Sequence, residues 1–124
     1  MKNHIVRNGL KCHWNFFLLP KNFLAITLFG SIFFRMKKEE LLGYIDTYDG
    51  TITINHERIH TLQAKSFKTR YLGFYAYYLY YWIKGLFKYK FVNDLAYYHI
   101  PFEIEAFKNE DNFEFSQSKW KNYI

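Results

Sequence analysis

The order of apolar and polar positions divides the chain into segments of different period. Residues 23–34, FLAITLFGSIFF, are an apolar run rich in Ile, Thr and Phe, which predicts a buried strand or a pair of strands bent at Gly30. The run is too short to cross a bilayer as a helix. A charged connection, RMKKEELLGYIDTYDG, follows with room for a short helical turn, and its Asp49-Gly50 reads as a hairpin-type turn. Residues 51–55, TITIN, alternate as a strand does, or lead straight into a helix capped by Thr53 or Asn55. From about residue 55 to Lys68, Ile59, Leu62 and Phe67 recur near helical spacing.

Residues 71–88, YLGFYAYYLYYWIKGLFK, predict a second helix that is apolar and aromatic almost all round. Such a helix is central to a core or in contact with a membrane. Its uncharged stretch, Tyr71 to Ile83, falls short of the roughly 20 residues a span needs, but Tyr and Trp favour the membrane–water interface. Pro101 suits the first turn of a third helix, PFEIEAFKNED. The pattern therefore predicts one α+β domain over residues 1–124, an N-terminal strand pair followed by three helices.

Composition adds two constraints. Aromatic residues make up 23% of the chain, which implies an unusually aromatic core or a surface meant for something apolar. The net charge of +6 favours an anionic partner, either a lipid surface or nucleic acid. Lys and Arg are scattered, with Arg35, Lys37 and Lys38 the tightest group, and no nucleic-acid-binding motif is present, so nucleic acid is disfavoured. The apolar stretch Phe16–Leu19 is too short for the core of a signal peptide and no small-residue cleavage site follows. Cys12 is the single cysteine, which excludes an intrachain disulfide and fits a reducing compartment. The expected location is the cytoplasm or the periphery of a membrane.

Chemistry concentrates in INHERIHTLQ, residues 54–63, where His56, Glu57 and His60 stand in the order H-E-x-x-H. On a helix the two histidines are about 400° apart, so both imidazoles leave one face on successive turns, as two ligands of a tetrahedral zinc must. Glu57 is rotated by about 100° from His56, beside such an ion rather than on it, where it can hold a water and take its proton. A third ligand must come from elsewhere. AYYHIPFEIEAFKNE, residues 96–110, offers Glu103 and Glu105, which point about 200° apart on a helix, so that one of them faces the metal.

Together, H-E-R-x-H-x-x-Q and the downstream I-P-F-E-x-E-A resemble zinc metallopeptidases of the zincin type, in the branch whose third ligand is a glutamate. More closely, the chain resembles a small bacterial zincin-like family. In that family an H-E-[RK]-x-H-x-x-Q helix precedes an aromatic-rich helix and an A-Y-x-N-[IP]-x-F-E-R-E-A-Y segment. The resemblance covers roughly residues 20–110, and ITLFGSIFFR looks like the family's leading strand region. Gln63, Ala96, Tyr97, Phe102, Glu103, Glu105 and Ala106 match its positions. In the membrane-associated zincins the ligand lies three before an alanine, which selects Glu103 and leaves Glu105 to the surroundings of the site or the helix surface. Two positions depart from the pattern. Phe107 stands where those zincins carry an Asp that orients a ligating histidine, so another residue or a backbone carbonyl must do so. His99 replaces a usual Asn and is an alternative ligand.

Gln63 shares a face with His60 and would orient a ligand or substrate, or simply line the helix surface. Tyr97 would donate to the oxyanion formed when water attacks a carbonyl, or pack as an ordinary aromatic. His4, Cys12 and His13 are discounted as a second metal site because their segment reads as terminal and irregular. No Gly-rich phosphate loop and no Ser or Cys nucleophile elbow is present. The resemblance implies a Zn²⁺-dependent peptidase acting on a peptide or protein, with His56, His60 and Glu103 as ligands and Glu57 as general base. The rival is a structural or interaction protein that holds a metal and cuts nothing. A cleft with an edge strand for an extended substrate is not evident from the sequence.

Overall fold

The computed structural model describes residues 4–21 and 23–124. The fold is α+β, a small N-terminal sheet followed by helices. Strands β1 (His4–Arg7), β2 (Leu10–His13), β3 (Ala25–Leu28) and β4 (Ser31–Phe34) lie in the order β1-β2-β4-β3, with β2 and β4 parallel and the other pairs antiparallel. The expected strand pair is β3 and β4. Its tight turn has Phe29 at φ +51° and Gly30 at φ +83°, the left-handed pair that matches the twist of two flanking strands. The Phe29 amide donates to the Tyr75 hydroxyl at 3.1 Å, which fixes a conformation that a phenylalanine would otherwise avoid.

β1 and β2 correct the expectation of an irregular start. Asn8 (φ +52°) and Gly9 (φ +76°) form the same kind of two-residue turn. Across the β1–β2 pair His4 faces His13, while Cys12 lies buried on the other side of the sheet. These three residues therefore do not converge.

Five helices follow among the described residues, where three were predicted. α1 (Lys38–Tyr44) is the short turn expected of the charged connection. α2 (Tyr48–Lys65) begins well before residue 55, with Thr47 as its cap, accepting from the Gly50 amide at 3.0 Å. Neither Thr53 nor Asn55 is the cap, and Asp49-Gly50 is not a hairpin turn but the first turn of this helix. Gly50 answers to a close approach. A Cβ placed there would lie 1.9 Å from the Tyr44 carbonyl oxygen, so only glycine lets α2 leave α1 at this angle. α3 (Tyr71–Lys88) and α5 (Pro101–Asn109, with Pro101 opening it) match the predicted second and third helices. α4 (Asn93–Tyr98) lies between them, and a 3₁₀ turn (Trp120–Tyr123) closes the chain.

Two apolar clusters organise these elements. Leu10, Cys12, Ile32 and Phe34 from one face of the sheet pack on Leu41, Ile45 and Ile54. Ala64, Phe74, Ile100, Phe102 and Trp120 form the second, ringed by tyrosines of α3. Much of the aromatic excess is spent here: Phe102 contacts Phe67, Phe74, Tyr78, Tyr81 and Trp120. α2 contributes to both clusters, and the H-E-x-x-H segment lies between its two contributions. No helix among the described residues is long and apolar enough to cross a membrane.

Candidate metal centre

His56 and His60 leave α2 on successive turns, and their rings meet edge to face with centroids 5.0 Å apart. Glu103, in the first turn of α5, projects between them. Its Oε1 lies 2.9 Å from His56 Nε2 and 3.2 Å from His60 Nε2. All three residues are buried, and one ligand atom from each lies within 4.8 Å of the others. Two nitrogens and an oxygen bound to one zinc at roughly 2.0–2.2 Å stand about 3.3 Å apart in a tetrahedron, close to the spacing here.

The contacts outside the donor set orient both rings as a cation needs. His56 Nδ1 lies 3.2 Å from a Glu110 carboxylate oxygen, which only accepts, so the proton belongs on Nδ1. His60 Nδ1 lies 2.8 Å from the Gln63 side-chain oxygen. The Gln63 amide nitrogen donates to Phe102 O at 2.8 Å and Glu105 Oε1 at 2.9 Å, so its oxygen must be the end that accepts from His60. With both Nδ1 protons committed outward, each ring in its neutral form would turn its Nε2 lone pair towards a Glu103 carboxylate oxygen. Three lone pairs converging in a buried space require protons or a cation between them. The residues fit a divalent metal.

In the metal-free chain that demand shifts the titrations. Burial alone would push the His56 imidazole down, but Glu103, Glu110 and Glu57 overcome it and raise it to about 10. His60 is also raised, with Glu103 and Glu57 outweighing burial. Burial would raise Glu103, yet His60 and His56 hold its carboxyl well below the usual carboxylate range.

The remaining candidates fall into place around this trio. Glu57 is half-buried beside it and accepts from the Thr27 hydroxyl of β3 at 2.6 Å. Glu105 faces away from the metal but is not on the surface. It is buried and accepts from Gln63, from Ser118 Oγ at 2.6 Å and from the Lys119 amide at 2.5 Å. Gln63 is thus a link between His60 and Glu105. Tyr97 lines the cavities at the site, and burial together with the Glu103 and Glu57 carboxylates raises its pKa, keeping the hydroxyl a donor. His99 is not brought to the trio. Its Nδ1 lies 2.7 Å from Leu95 O and its ring rests on Tyr89.

Three contributors escaped sequence reasoning. Glu110 supplies the orienting carboxylate for which Phe107 leaves no side chain, while the Phe107 ring packs on His56 at 4.5 Å. Asn55, in place of a capping role, donates to the Glu110 and Asn112 carbonyls, each at 2.9 Å, and so pins the end of α5 where Glu110 sits. The Tyr78 hydroxyl donates to Glu103 Oε2 at 2.6 Å, leaving Oε1 for the histidine side. Glu110, at the C-cap of α5, was within reach of a search for acids one turn past the motif. Nothing distinguished Tyr78 among twelve tyrosines.

Two cavities adjoin the trio. One, of about 250 Å³, is lined by His56, Glu57, Tyr97 and Glu110. The other, of about 500 Å³, is largely apolar and reaches Glu57, His60 and Glu103 past Thr27, Tyr75 and Trp82. β3 forms one wall of it and, among the described residues, pairs only with β4. An edge strand therefore does border the site, contrary to the expectation from sequence. No protein-family model, no curated protein and no solved structure matches the chain.

Proposed function

We propose that the chain is a zinc-dependent peptidase that hydrolyses an amide bond of an extended peptide or protein segment. One observation carries this reading: a buried His-His-Glu donor set in which each histidine Nδ1 faces an oxygen outside the set, beside a carboxylate that is not part of it. The sequence resemblance to the glutamate-ligand zincins supports it. When bound, zinc would supply Lewis acidity, bringing a water's pKa from about 15.7 towards about 7 and polarising the substrate carbonyl.

The chain's own residues would do the rest. Glu57 accepts a proton from the attacking water as its oxygen bonds to the carbonyl carbon, and returns it to the amide nitrogen as the C–N bond breaks. The products are a carboxylate and an amine. The Thr27 hydroxyl holds one oxygen of Glu57 and fixes the direction in which the carboxylate works. Tyr97, kept protonated by its surroundings, donates to the oxygen on which charge develops. The outer edge of β3 offers the backbone groups of Ala25 to an extended substrate, a mode of recognition that uses main-chain hydrogen bonds, while the Thr27 carbonyl is already held by the Tyr75 hydroxyl at 3.3 Å.

The test is Glu57→Gln at matched zinc occupancy, assayed on a broad library of unstructured peptides. The variant keeps the metal and the fold, and loses roughly a hundredfold to ten-thousandfold in rate. If the wild type cleaves no more than the variant, the metal serves a non-catalytic protein instead.

A further inference from the structure

We propose that the outer face of α3 docks on an anionic lipid bilayer, and that docking brings the mouth of the apolar cavity to the lipid surface. α3 buries Phe74 and half-buries Tyr71, Tyr75, Tyr78 and Tyr81, but its other face is apolar too. Leu72 is 74% exposed, Leu79 53% and Phe87 69%, with Tyr80 and Ile83 open between them. At 100° per residue these five side chains fall within an arc of about 100°, one continuous stripe about 22 Å long. A stripe of that kind marks an interaction surface.

Charge identifies the occupant. Between Glu57 and Asp94 the sequence has seven Lys and Arg and no acid. Lys84 and Lys88 are exposed on the same helix and flank the stripe on the side of Tyr77, and Lys65, Lys68 and Arg70 are exposed before its first turn. A second copy of the chain would bring the same positive charge to the contact, and an uncharged apolar partner would leave the lysines unused. An anionic bilayer takes both features at once: the apolar side chains enter the acyl boundary by roughly 5–10 Å, the tyrosines sit at headgroup level, and the lysines meet lipid phosphates.

The orientation follows from Leu79. This residue ends the stripe on one side and also lines the cavity of about 500 Å³, next to Tyr75 and Trp82. Leu19 and Pro20 also line it, and the adjoining Leu18 is 87% exposed. A chain lying on α3 therefore presents an apolar passage to His60 and Glu103 from the lipid side. The docking is independent of whether the site hydrolyses anything.

The experiment is flotation of the full chain with phosphatidylcholine vesicles, with and without phosphatidylglycerol, at low and high salt. Binding is expected with the anionic lipid and is weakened by salt. Phe87→Asp and Ile83→Asp, both at exposed positions, lower it by roughly tenfold or more, and Lys84→Gln with Lys88→Gln reduces its salt dependence. A dye on Leu79→Cys, made in a chain whose one native thiol is buried, brightens when anionic vesicles are added. No flotation at low salt, or flotation untouched by Phe87→Asp, overturns the docking surface. So does self-association without lipid that Phe87→Asp abolishes. A dye that stays unchanged on floated protein overturns the orientation of the cavity.

Discussion

The side-chain oxygen of Gln63 lies 2.8 Å from Nδ1 of His60, and the glutamine cannot turn over to present its nitrogen instead. Its amide group is held by the Phe102 carbonyl and by Glu105, both acceptors, so reversal would cost two buried hydrogen bonds. A chain of contacts thus runs from Ser118 and Lys119 through Glu105 and Gln63 to the histidine. His56 has a shorter one, through Glu110 to Asn55.

Removing these supports should weaken the metal without abolishing it. Gln63→Leu and Glu110→Ala are each expected to lower zinc affinity by roughly ten- to a hundredfold, the usual effect of losing a ligand's hydrogen-bond partner. Competition with a chelator of known affinity measures this directly. Unchanged affinity in both would mean that neither contact sets the ring orientation.

The ligands themselves should behave differently. The wild type is expected to bind about one Zn²⁺ per chain, and His60→Ala or Glu103→Gln to lose it, because two remaining ligands hold zinc poorly. Glu105→Gln should still take up metal but melt at lower temperature, by an amount corresponding to about 1–3 kcal/mol, since a buried acceptor of three hydrogen bonds is disturbed. Metal analysis and thermal melts together separate the two glutamates. Full zinc occupancy in His60→Ala would remove the site as drawn.

The pH dependence has a definite sign. In the metal-free chain His56 is raised to about 10, the carboxylates of Glu103 and Glu110 prevailing over burial. A histidine raised in the folded state adds stability that is complete below its unfolded pKa of about 6.5 and is lost as pH climbs through the folded value. Metal-free protein should therefore melt at a lower temperature near pH 10 than near pH 6. Zinc competes with the same proton, so apparent affinity should rise over that window. Titration calorimetry in buffers of different ionisation heat would register the displaced proton, and a flat affinity profile would contradict the assignment.

Gly50 offers a test of the fold alone. Gly50→Ala would place a methyl group 1.9 Å from a backbone oxygen of Tyr44, so α2 must shift away from α1. The expected loss is about 1–3 kcal/mol or more, read from denaturant unfolding, although alanine is the better helix former. A stabilised variant would mean the two helices are not so close.

Legibility in the sequence followed the range of the forces involved. The β3–β4 run, the aromatic α3 and the Pro101 start of α5 rest on local pattern and were readable. Asp49-Gly50 misled because the same dipeptide serves a tight turn and a close helix contact, and only the Tyr44 carbonyl distinguishes them. Asn8-Gly9 was a true turn signal, but the strands beside it carry His, Arg and Lys, which masked their alternation. At the site, His56, Glu57 and His60 share one helical face and could be read as a group. Tyr78 and Asn55 join them only through tertiary packing, and no spacing rule announces them, whereas Glu110 lies one turn past the F-E-x-E-A motif.

α2 carries Ile54 in the cluster beneath the sheet and Ala64 in the aromatic cluster, with the two histidines between. Each cluster has its own apolar contacts, and the helix is the shared beam. An ion held by His56, His60 and Glu103 would fasten that beam at mid-length to α5. Without metal, hydrogen bonds and ion pairs such as those of Asn55, Gln63 and His56 still join the two halves, and scanning calorimetry is expected to show a broader endotherm. With metal they should melt as one unit, in a single sharper endotherm at higher temperature, so the ion would set the cooperativity of the whole domain as well as the chemistry of its centre.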